Sequence, residues 1–196
     1  MKKIIIALVV LAAGIAAYKY IFKAGDGQSK ENTPPLEISG NTSGFSADFE
    51  KMISQYTTLR DAFVKGDTMG VNAAGATFLT GLGNLNTKDL KADTVLIGTA
   101  ETLKQSILTE TGVLTKVAGI EEKRKSFQII SDALYDLIRT VKYDKSTVYQ
   151  INCPMAFNNT GANWLSLQPE VVNPYFGDKM LNCGSVVDSV NYRPIK

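Results

Sequence analysis

The 196-residue chain carries 21 Lys and Arg against 19 Asp and Glu, a formal net charge of +2, and contains no histidine. Lys2, Lys3, Lys19 and Lys23 stand in the first 23 residues without one acid, so everything beyond them is mildly acidic and lacks the footprint of a nucleic-acid binder. Without histidine there is no ordinary proton shuttle near neutral pH, no imidazole ligand for zinc or Cu(II), and no base for Ser-His or Cys-His catalysis.

Two lysines precede an uncharged apolar run from Ile4 to Tyr18, the first two parts of a secretory signal. About 15 helical residues span roughly 22 Å, short of the ~30 Å bilayer core. Extension to Phe22, with Lys19 snorkelling and Tyr18, Tyr20 and Phe22 at the interface, reaches roughly 28 Å. Residues 1–23 therefore read as either a cleaved signal peptide or a retained membrane anchor spanning 4–22. Both place the rest of the chain in the periplasm or otherwise outside the cytoplasm. Residues 24–44 are rich in Gly, Ser, Asn and charge around Pro34-Pro35, and read as a flexible linker.

From Phe45 the apolar period becomes helical. Phe49, Met52, Tyr56, Leu59 and Phe63 fall on one helix face, and Gly66-Asp67 closes that helix and caps the next. Val71, Ala74, Phe78, Leu82 and Leu85 form a second stripe, broken by Gly83, Asn84, Asn86 and Asp89. A third helix starts near Asp93-Thr94, with Leu96, Ala100, Leu103, Ile107, Leu114 and Val117 inward, a kink at Gly112 and an end at Gly119. A fourth begins at Glu121-Glu122, whose carboxylates suit the positive end of a helix dipole, and buries Phe127, Ile130, Leu134, Leu137, Ile138 and Val141. Short connections between such helices predict an all-α fold, an antiparallel four-helix bundle over 45–143.

Residues 144–196 lose the helical period. Thr147–Ile151 alternates and is β-prone. Thereafter Gly, Pro and Asn predict loops and turns, an irregular Cys/Met-containing tail. The tail holds Trp164 and both cysteines, and a solvated tail would not carry such residues, so it is expected to pack on the bundle. Trp164 and Tyr175 are the expected anchors.

Its chemistry is sulfur. Cys153-Pro154-Met155 and Met180-Leu181-Asn182-Cys183 each set a cysteine two or three residues from a methionine. Thiolate and thioether are soft donors that together select Cu(I), so Cys153, Met155, Met180 and Cys183 form a candidate metal site. The other reading is a Cys153–Cys183 disulfide, which in an exported domain would close a loop of about 31 residues and stabilise the fold by roughly 3.7 kcal/mol. No phosphate loop or dinucleotide fingerprint occurs, and the pattern indicates a binding module, not an enzyme.

The segments Tyr149–Ala156, Gly161–Ser166 and Asn173–Gly184, with Ile120–Phe127 in the bundle, resemble domain of unknown function 3347. That family occurs alone behind a signal peptide or appended to periplasmic adaptor subunits of copper/silver-type efflux pumps. The resemblance implies metal handling in the cell envelope, with a metal efflux system as partner. Family members often carry a histidine that this chain lacks, which leaves Cu(I) as the implied metal. The alternative is a disulfide-stapled bundle that docks on an envelope protein partner without metal.

Overall fold

The computed structural model describes residues 41–194, so the expected leader and most of the linker lie outside the described residues. Four long helices come first: α1 (Ser43–Val64), α2 (Thr68–Asn84), α3 (Thr94–Lys116) and α4 (Ile120–Val141). Side chains start three of them. Thr42, Asp67 and Asp93 accept hydrogen bonds from the amides of Phe45, Gly70 and Leu96, satisfying donors the helix itself leaves unpaired. Gly66, at φ +64°, ends α1 in a Schellman turn, with the Asp67 amide on the Ala62 carbonyl and the Gly66 amide on that of Phe63.

Consecutive helices pack on one another, and α1 meets α4 through aromatic rings. Tyr56 stacks on Phe127 at 5.3 Å and Phe63 lies 4.7 Å from the same ring. Each such buried side chain stabilises the fold by about 1.5–3 kcal/mol. The α1, α2 and α4 stripes are inward as the period required. On α3, Leu96 is exposed, because the first turn of that helix stands clear of the core. The helix also continues through Gly112 to Lys116 as a single element.

Two lysines are buried in the bundle. The Lys104 ammonium donates to the Leu85 carbonyl at 3.1 Å, and that of Lys123 to the Leu114 carbonyl at 2.6 Å. Each reaches from a later helix to a carbonyl at the C-terminal end of the preceding one, where acceptors are unpaired and the helix dipole favours a cation.

The all-α expectation is overturned after residue 147. The C-terminal region forms a three-stranded antiparallel sheet of β1 (Val148–Cys153), β2 (Ala162–Ser166) and β3 (Ser185–Val190), in the order β2-β1-β3. The bundle is the core of the fold, yet the fold is not purely helical. The β-prone run before Cys153 is the central strand, and the stretch around Trp164, expected as loop, is an edge strand. Ile151 faces Trp164 and Cys153 faces Ala162 across the β1–β2 pair. Strands of five and six residues among Gly, Pro and Asn give little periodic signal, and the second partner of β1, strand β3, lies beyond residue 184.

The sheet docks on the bundle through β2. The Leu165 amide donates to the Tyr56 hydroxyl at 3.0 Å, which shares a 2.7 Å bond with the Ser131 hydroxyl. The Asn163 side-chain amide donates to Asp132 at 2.9 Å, and burial raises that carboxyl above its ordinary value. Between β1 and β2 lies the short turn α5 (Ala156–Asn159), in which Phe157, Asn158 and Asn159 all take left-handed conformations. L-residues rarely string such conformations together, because each crowds Cβ against the following carbonyl. Among the described residues no helix is long and apolar enough to cross a membrane.

Candidate functional site

The two cysteines arrive from opposite directions. Cys153 ends the central strand and is fully buried. Cys183 stands two residues before β3 and is partly exposed. Their sulfurs are 3.0 Å apart, and both are free thiols. Hydrogen bonding to Cys153, then burial, pushes the Cys183 thiol above its ordinary pKa.

What brings Cys183 there is Asn173, a buried residue whose role the sequence did not reveal. Its side chain accepts from the Tyr175 amide at 2.7 Å and the Phe176 amide at 3.3 Å, and donates to the Cys183 carbonyl at 2.7 Å. Its own amide donates to the Leu181 carbonyl at 2.8 Å. One asparagine thus closes the neck of the 173–183 loop. Arg124 ties the loop to α4 by donating from Nε to the Pro174 carbonyl at 3.0 Å.

Two glycines let this loop lie close. Gly177 has φ +56°, and a Cβ there would meet the Val64 carbonyl oxygen at 2.7 Å. Gly184 has φ +144°, and its Cβ would fall 2.8 Å from the Trp164 ring and 2.9 Å from the Asn152 carbonyl oxygen. Neither of those backbone oxygens can swing aside as a side chain would.

Trp164 and Tyr175 join sheet, loop and bundle. Trp164 is fully buried, edge-on to Tyr175 with ring centroids 6.0 Å apart. Tyr175 lies 6.1 Å from Phe127 on α4 and 5.5 Å from Phe157 in α5. Its hydroxyl donates to the Asn163 carbonyl, and burial holds that phenol well above its usual range. The Ile120–Phe127 segment therefore meets the tail twice, through Arg124 and Phe127.

The methionines lie apart from the core. Met155 is 47% exposed and Met180 is half-buried. Both line one open groove of about 470 Å³ with Phe157, Phe176 and Lys125. A second groove, of about 590 Å³, shares Phe176 and Met180 with the first and is lined by Lys65, Arg124 and Lys179 together with the acids Glu121 and Asp178. Neither cysteine lines either groove. The structure thus brings the two thiols into contact and sets both methionines on a groove that neither cysteine lines. Among the described residues no group of three His, Cys, Asp or Glu is clustered to share a metal ion.

A family model described as "Protein of unknown function (DUF3347)" matches residues 52–146, from within α1 to the approach of β1. The Cys/Met region lies beyond the matched span. Neither a curated protein nor a solved structure matches the chain.

Proposed function

From the match of the DUF3347 family model to residues 52–146, we propose that the chain is a member of that family and that the domain handles a soft metal ion, Cu(I), outside the cytoplasm. The observation that carries the reading is the thiol pair: the chain's two cysteines, 30 positions apart and each two or three residues from a methionine in the sequence, meet at 3.0 Å. Soft sulfur donors without imidazole suit Cu(I) above the harder divalent ions. Cys153 and Cys183 would hold the ion, and Met155 and Met180 would line its approach. Bound Cu(I) would be carried as cargo, with no catalysis asked of the protein. The N-terminal leader supplies the location, and a metal efflux system of the envelope is the partner that fits this role.

The test is anaerobic titration of the fully reduced chain with Cu(I) against a competing chelator. Stoichiometric uptake that falls in Met155→Leu/Met180→Leu and disappears in Cys153→Ser/Cys183→Ser supports the reading. Uptake no greater than that of the double-serine chain rejects it.

A second reading is favoured by the burial of Cys153 and the contact between the sulfurs, both suited to a disulfide. The domain would then be a stapled docking module for an envelope protein. It would tolerate Met155→Leu and Met180→Leu but not loss of either cysteine.

A further inference from the structure

The cysteine pair sits in a frame that does not depend on a bond between the sulfurs. Asn173 fixes the Cys183 carbonyl and the Leu181 carbonyl on one side. On the other, Gly184 is pressed against Trp164 and the Asn152 carbonyl. Arg124 holds the loop base to α4. The sulfurs therefore face each other while both are thiols. A bond that the fold does not need for its shape can be made and broken without unfolding the loop. The thiols also differ in access: Cys183 is partly exposed, whereas Cys153, at the end of the central strand, is fully buried.

From this geometry we propose that Cys153 and Cys183 form a reversible dithiol–disulfide couple, with Cys183 exchanging with an outside disulfide and Cys153 resolving the product. The Cys183 thiolate attacks one sulfur of an incoming disulfide R–S–S–R. The first R–S⁻ leaves, and Cys183 is held as a mixed disulfide. The Cys153 thiolate then attacks the Cys183 sulfur and expels the second R–S⁻. The two protons given up by the cysteines go to the two R–S⁻ groups, so the incoming disulfide is reduced to two thiols as Cys153–Cys183 is oxidised. Reductant thiols run the sequence backwards. The partner class is a small disulfide or a thiol–disulfide exchange protein of the envelope. Oxidation also withdraws both thiolates from a soft metal, so the couple controls the metal site; this last consequence rests on the reading above.

The experiment treats the reduced full chain with oxidised glutathione and follows mass and thiol content. The wild type should end as an internal disulfide with both thiols lost and no lasting adduct. Cys153→Ser should trap a glutathione adduct on Cys183, and Cys183→Ser should stay unmodified. Limiting iodoacetamide on the wild type should label Cys183 before Cys153, a readout that needs no variant to fold. Lasting adducts in the wild type, or first labelling at Cys153, would overturn the proposal. Cu(I) titration of both redox forms completes the test. Uptake by the reduced chain alone supports redox control. Equal uptake by both forms overturns that control and leaves metal binding intact. Uptake by neither, with the exchange steps as described, retains the couple and rejects the metal reading.

Discussion

Trp164→Ala is the substitution that asks most directly whether the sheet and the bundle are one cooperative body. The indole is fully buried, lies over Gly184, and meets Tyr175 edge-on, which in turn contacts Phe127. Truncating a buried tryptophan to alanine costs about 3–5 kcal/mol, from lost transfer energy and an unfilled cavity. Among the described residues the indole N–H has no hydrogen-bond partner, so truncation breaks no hydrogen bond and the loss is one of packing. A cost of that size is a large part of the ~5–15 kcal/mol that holds a typical domain folded. Trp164 is the only tryptophan, so the assay is urea unfolding followed by circular dichroism, which also reports on the helices. The expected result is a single transition moved to lower urea with its slope unchanged. A loss below about 1 kcal/mol, or a helical transition that stays in place while the sheet melts separately, would refute the docking argument.

Gly177→Ala should destabilise by at least about 1–2 kcal/mol for the left-handed backbone alone, with more from the contact at the Val64 oxygen; unfolding equal to wild type would show that the loop does not lie on α1. Burial lowers the Lys123 pKa, so the unfolded chain binds more protons between the folded and unfolded values. Stability should therefore rise with pH across that window, reaching completion near ~10.4, and Lys123→Met should remove this component from the difference between the two pH profiles. The Glu101 carboxyl is held at about 2 by the Thr87 hydroxyl, Gln105 and Lys104. Its stabilisation is complete above the unfolded value of ~4.3 and is lost as pH falls towards about 2, so Glu101→Gln should flatten acid unfolding there. Because the Cys183 thiol is raised, its reaction with oxidised glutathione should still be accelerating at pH values above those where an unperturbed thiol has levelled off; a plateau at or below the ordinary thiol pKa would contradict that shift.

Helices α1, α2 and α4 were legible because each carries a local stripe of apolar side chains at the helical period, with caps such as Asp67 at the expected ends. Such stripes need only their own segment to be recognised. The family model, too, matches on a local span, residues 52–146. The sulfur-bearing segments were visible as candidates, but not the separation of the thiols from the methionines, because the contact between Cys153 and Cys183 depends on Asn173 closing its loop and on Gly184 fitting under Trp164. Of the sheet only the β-prone run at 147–151 was legible, for the same kind of reason. Strand β1 pairs with residues up to 190, and only once those partners are brought together do five- or six-residue segments acquire the ladder that makes them strands. Likewise the buried lysines read as ordinary surface charge until the helices meet and their ammonium groups find the Leu85 and Leu114 carbonyls. Local composition settled where the helices form and which donor chemistry is present. Long-range packing decided the sheet, the thiol contact and the grooves, because each exists only between groups that the chain alone leaves far apart.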